Sequence, residues 1–147
     1  EQGNIIPKIK ISENTAKITN PHYKKVYRFY DNESGKALAD ELCVYDETID
    51  STKPHTIFDP DAIWKTKTLT DYTARELHVT VFKNGELVYK QPSLYEIRIY
   101  CAEQLETLWD EVKRFENPHT YYVDLSKKLW EIKNTLLEKS KDGKNLK

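Results

Sequence analysis

The chain has 147 residues, 38% of them hydrophobic and 12% aromatic, which suits one domain with a packed core and excludes wholesale disorder. Its 23 Lys and Arg against 24 Asp and Glu leave a net charge of −1. That balance argues against nucleic-acid and membrane-surface proteins, which carry a basic excess or a one-sided patch.

No apolar run approaches the roughly 20 residues needed to cross a bilayer. Glu1 to Asn4 lack the basic-then-apolar plan of a signal peptide. There is no Met, even at position 1, and Glu1 sits just ahead of a predicted strand, so the sequence reads as a piece excised from a longer chain. Of the two cysteines, Cys43 and Cys101, the second falls on the apolar face of a predicted helix; a buried free thiol is expected there, in keeping with a reducing cytosol.

Lys8 to Ser12 alternates charge with Ile as a short strand does, breaks at Ser12-Glu13-Asn14, and resumes through Lys17 and Thr19 to Pro21. Lys25 to Tyr30 alternates again, with Tyr27 and Phe29 on one side and Val26, Arg28 and Tyr30 on the other. Asp31 to Gly35 is a turn, and Ala37 to Tyr45 returns as the hairpin partner. Asp40 shares the face of Leu38, Leu42 and Val44, which predicts a bulge or an edge strand. Short strands follow at His55 to Phe58 and Trp64 to Leu69, on either side of Asp59-Pro60-Asp61. Glu76 to Phe82, Asn84-Gly85 and Glu86 to Lys90 form a predicted type I′ hairpin, with Leu77, Val79 and Val81 on its core face.

Helices take over at Pro92. Ser93 and Glu96 form a capping box, in which each side chain satisfies a free backbone N–H of the first turn. Leu94, Ile97, Cys101, Leu105, Leu108, Val112 and Phe115 then make one stripe, predicting a helix of about six turns that ends at Asn117-Pro118. A second helix is predicted after Asp124, with Leu125, Leu129, Ile132 and Leu136 as its stripe. The short loop from His119 to Val123 predicts antiparallel packing of the two. The expectation is an α+β domain: antiparallel strands and hairpins over residues 22–92, two antiparallel helices over 93–140, a preceding segment 1–21 and a disordered tail 141–147.

Few residues form a chemical constellation. His22, His55, His78 and His119 lack metal-ligand spacing, and Asp59-Pro60-Asp61 reads as a turn in which Asp59 caps the bend, so no metal site is expected. Four glycines without a nucleotide-binding pattern argue against a phosphate cradle. Lys24, Lys25 and Arg28 interleave with aromatics along residues 23–30, which leaves open a free-standing module that binds nucleic acid or a protein. Lys10, Ser12, Lys17 and Thr19 place cations and hydroxyls where an anionic phosphate could be met.

The segment from Pro7 to Pro21 resembles the stretch that leaves the catalytic barrel of nicotinate phosphoribosyltransferases, with Thr15 and Ala16 standing where that pattern has Pro-Glu. Further blocks similar to the family's C-terminal domain are Lys24 to Arg28, Gly35 to Asp40, Phe58 to Asp61, Trp64 to Leu69, Pro92 to Arg98, Leu108 to Arg114, Asn117 to His119 and Tyr121 to Ser126. The resemblance implies a cytoplasmic, homodimeric enzyme of NAD biosynthesis that joins nicotinate to phosphoribosyl pyrophosphate, coupled to ATP hydrolysis. It implies further that the catalytic residues lie in the barrel and none in this chain. The fragment would then bind no cofactor, ATP and Mg belonging to the full enzyme, and would be a structural unit partnered by that barrel, with Lys10, Ser12, Lys17 and Thr19 close to the active site.

Overall fold

A computed structural model describes residue 3 and residues 5–142. In chain order the elements are β1 (Lys24–Asp31), β2 (Ala37–Val44), β3 (His55–Asp59), β4 (Ala62–Leu69), β5 (Tyr72–Glu76), β6 (Phe82–Lys83), β7 (Glu86–Leu87), α1 (Leu94–Glu106), α2 (Asp110–Lys113), β8 (Val123–Leu125) and α3 (Lys127–Asp142). The α+β class is as expected.

A four-stranded sheet in the order β5-β1-β2-β8 forms the centre. Alternation along β1 sends Lys25, Tyr27 and Phe29 to the side where the β3–β4 hairpin lies. There Tyr27, Phe29, Ala39, Cys43 and Tyr72 pack on Ile57 and Leu69, with Phe29 edge-on to Tyr72 at 5.5 Å between centroids. The other side holds a second core, in which Val44 and Leu125 meet Leu129 of α3. The sheet is therefore covered by a hairpin on one face and a helix on the other.

Several local signals act as their chemistry dictates. Asn84 and Gly85 take φ of 52° and 84°, the pair of positive values a type I′ turn requires. The Ser93 hydroxyl accepts from the Glu96 amide while the Glu96 carboxylate accepts from the Ser93 amide at 2.7 Å, completing the capping box. Asp59 Oδ1 accepts from the Asp61 amide at 2.9 Å, the expected cap of that bend.

Other expectations are corrected. Residues 5–12 form no strand, and Ser12 to Thr19 is a loop around a single 3-10 turn at Thr15–Lys17. Asp40 lies on an inner strand without a bulge, because Arg28 directly opposite neutralises it; the register slips instead at Phe29/Tyr30. The strand predicted from Glu76 lies earlier, as β5, and the ladder ends where His78 Nδ1 replaces a backbone acceptor for the Val26 amide at 3.2 Å. Val79 and Val81 are consequently 65% and 42% exposed, on no core face.

The six-turn helix is broken. Lys36 Nζ takes the Glu106 carbonyl at 2.7 Å and the Ala37 amide takes the Thr107 carbonyl at 2.7 Å, so these two carbonyls bond to the start of β2 rather than to a continuing helix. Cys101 is exposed rather than buried; the buried thiol is Cys43. Leu125 belongs to β8, which pairs in parallel with β2, and α3 packs on β2 instead of antiparallel to α1. At the ends, α3 takes in Lys141 and Asp142, while residues 1, 2, 4 and 143–147, parts of the expected leading segment and disordered tail, lie outside the described residues.

Leu129 is fully buried, so Leu129→Ala is expected to cost about 3 kcal/mol in urea unfolding through lost burial and a residual cavity. Val79→Asp, aimed at a position the hairpin reading made core, is expected to stay within about 0.5 kcal/mol in the same experiment on this chain.

Candidate functional site

The leading segment is closed by its own backbone. The Lys10 amide donates to Thr19 Oγ1 at 3.1 Å and the Thr19 amide donates to the Lys10 carbonyl at 3.4 Å, bringing these two residues together. Between them, Ser12 Oγ accepts from the Asn14 amide at 3.2 Å, and Asn14 Oδ1 caps the turn by accepting from Ala16 at 3.0 Å. Lys17 ends that turn, exposed like Lys10. Ser12 and Thr19 thus offer their hydroxyl oxygens to backbone amides, whereas Lys10 and Lys17 are exposed.

That loop is anchored to the domain at Asn20 and Pro21. Lys24 Nζ donates to the Asn20 and His22 carbonyls at 3.0 and 2.8 Å, and Lys133 Nζ of α3 donates to Asn20 Oδ1 at 2.9 Å. Pro21 is buried, and His22 takes φ of 75° to turn the chain into β1, a left-handed conformation that costs a non-glycine residue about 1 kcal/mol.

Sequence reading missed the buried polar network of the sheet, because its members are far apart in the chain. Arg28 makes a two-pronged pair with Asp40 at 2.7 and 2.8 Å, and the Tyr121 hydroxyl donates to the same carboxylate at 2.9 Å. Burial, then the Asp40 charge, push the Tyr121 phenol up, so it remains a donor. The cations of strand 23–30 are thereby committed internally: Lys24 to carbonyls, Lys25 to Glu76 at 3.5 Å and Arg28 to Asp40. No basic stripe remains for a nucleic acid, and the free-standing binding module is not supported.

On the opposite face, Glu41, Cys43 and His55 line a cleft of about 360 Å³ with Glu47 and Ser126. His55 Nε2 lies 2.9 Å from Glu41 Oε2, and Cys43 Sγ lies 3.5 Å from the same oxygen. These residue types could suggest a nucleophile, a base and an orienting acid. Here thiol and imidazole both contact the same carboxylate oxygen, and burial, then Glu41, push the thiol up and keep it protonated. Glu47 Oε2 accepts from the Val44 amide at 2.6 Å and from Ser126 Oγ at 2.7 Å.

Among the described residues no group of three or more His, Cys, Asp or Glu could hold a metal ion, and no helix is long and apolar enough to cross a membrane. Gly35 and Gly85 each take a positive φ, of 68° and 84°, in a turn.

Asp124 is 4% exposed beside Glu41 in the parallel β2–β8 register. Burial first, then the charges of Asp59 and Glu41, push its carboxyl up to about 6. A raised carboxyl favours the folded state fully below its ordinary value of 3.8, and that contribution is lost as pH rises through about 6. Asp124→Asn is therefore expected to gain about 1–2 kcal/mol over the parent at pH 7.5 and almost nothing at pH 4, measured by urea unfolding at both.

The family profile described as "Nicotinate phosphoribosyltransferase C-terminal domain" matches residues 23–133. The nicotinate phosphoribosyltransferase of Bacillus subtilis is 36% identical over 133 residues, covering 90% of this chain and 27% of that protein. That of Caenorhabditis elegans is 31% identical, covering 88% and 23%. The crystal structure of human nicotinic acid phosphoribosyltransferase superposes with a TM-score of 0.72 at 26% identity, over 81% of this chain and 24% of that one. The chain spans about a quarter of the length of these relatives. With the family profile matching most of its residues, the chain belongs to the nicotinate phosphoribosyltransferase family as its C-terminal, non-catalytic domain.

Proposed function

We propose that the polypeptide carrying this domain joins nicotinate to phosphoribosyl pyrophosphate, releasing nicotinate mononucleotide and pyrophosphate with ATP hydrolysis, as a step of NAD biosynthesis in the cytoplasm. The domain's part is structural. Nicotinate, ATP and Mg bind in the catalytic barrel of the same polypeptide, which is the domain's partner, and the enzyme works as a homodimer. The observation that carries the structural role is the internal commitment of the polar core: Arg28 with Asp40 and Tyr121, His55 with Glu41, and Glu47 with Ser126. A catalytic group needs a free lone pair or proton facing a substrate, and these groups spend theirs on one another.

The leading loop is the domain's one approach to the chemistry. Lys10 and Lys17, free in solvent, meet a phosphate of the phosphoribosyl substrate, while Ser12 and Thr19 hold the loop's shape through backbone bonds. Charge-assisted bonds of this kind contribute about 1.5 kcal/mol.

Turnover separates these roles. The 147-residue chain alone is expected to form no nicotinate mononucleotide, and the whole polypeptide to form it; product from the chain alone would overturn the structural role. In the whole polypeptide, Lys10→Ala with Lys17→Ala is expected to raise KM for phosphoribosyl pyrophosphate about a hundredfold with little change in kcat. An unchanged KM would remove both lysines from the substrate's reach.

A further inference from the structure

A helix lying on a protein surface normally shows one apolar stripe, whereas a helix apolar on all sides is normally buried all round. α1 lies between the two. At about 100° per residue, Leu94, Tyr95, Ile97, Ile99, Tyr100 and Leu105 cover most of the circumference, and Glu96 and Glu103 take the remaining side. Yet no residue of α1 is buried, and Leu94 and Tyr95 are each 74% exposed.

The domain holds this helix by polar bonds. Tyr30 donates to Gln104 Oε1 at 3.3 Å, Arg75 Nη2 donates to the Tyr100 hydroxyl at 3.4 Å, and Lys36 takes the Glu106 carbonyl at 2.7 Å. These contacts fix the helix in place without covering its apolar sides. The hairpin just before it repeats the pattern, with Phe82 and Leu87 each 65% exposed.

We propose that α1, with the β6–β7 hairpin, is the surface on which the rest of its own polypeptide closes. This deepens the family reading given above and rests on it. Two observations favour that occupant over a second copy of the domain. The relatives are more than three times as long as this chain, so most of such a polypeptide lies outside it. A two-fold contact between identical patches would also cover the helix from one direction only, and α1 needs cover from several.

Cys101 on α1 is an exposed native reporter, and Cys43, buried and held as the thiol, is an internal control. The test is alkylation by N-ethylmaleimide, read peptide by peptide by mass spectrometry, on the whole polypeptide before and after urea unfolding. Cys101 is expected to react at least about tenfold more slowly in the native protein, equally at nanomolar and micromolar concentration. In the 147-residue chain it is expected to react near the unfolded rate; should that chain fail to fold, the urea-unfolded polypeptide supplies the reference. Reaction of the native polypeptide at the unfolded rate would overturn the proposal. So would protection that disappears on dilution, which would assign the surface to a second copy. Turnover measured on the same sample keeps the two readings apart. An active enzyme with unprotected Cys101 sinks the docking surface alone, and an inactive one with Cys101 protected sinks the enzymatic reading alone.

Discussion

Arg28 and Asp40 stand opposite one another on neighbouring antiparallel strands, largely out of water, and each charge offsets the cost of burying the other. Their two parallel hydrogen bonds tolerate only one alignment of β1 with β2, since a slip of one residue would put the two side chains on opposite faces. The pair also reaches beyond its hairpin. Tyr121 donates to the Asp40 carboxylate, and the Asp40 amide donates to the Tyr122 carbonyl at 2.9 Å. Both bonds deliver the following residues to the edge of β2, where β8 completes the sheet and α3 starts at the height of Val44.

The two faces of that sheet solve different problems. Toward α3 the solution is apolar, with Leu129 enclosed by Val44 and Leu125. Toward the β3–β4 hairpin, aromatic packing shares space with charge: Phe29 stacks on His55 at 5.1 Å, and His55 in turn holds Glu41. Asp124 is the exception. The charges that act on it, Asp59 and Glu41, have its own sign, which is a local conflict inside the core.

Features governed by neighbours in the chain were legible from sequence. Asn84-Gly85 demands positive φ twice, Ser93 and Glu96 cap each other, and the alternation of β1 sorts Tyr27 and Phe29 from Arg28 and Tyr30. Features governed by distant residues were not. Three residues of β8 are too few to show a period, and their identity as a strand depends on β2. The break in the predicted long helix depends on Lys36 and Ala37, some seventy positions earlier, taking its carbonyls. Asp40 looked misplaced only because its partner could not be seen. Of the leading loop, the residue types were visible but the Lys10–Thr19 closure was not, and the Glu41–His55 cluster left no sequence signature.

The parallel pairing of β8 with β2 carries a consequence for how the domain is made. Asp40 must find Val123 across roughly eighty intervening residues, and such long-range pairings form late and slowly. During synthesis β1 and β2 emerge as a hairpin whose outer edge has unpaired amides and carbonyls. That edge stays open until the ribosome has released Leu125, and α3, which seals the same side, emerges immediately afterwards. The last stretch of the domain thus acts as a clasp, and a nascent chain that stalls before it presents a sticky strand to its neighbours.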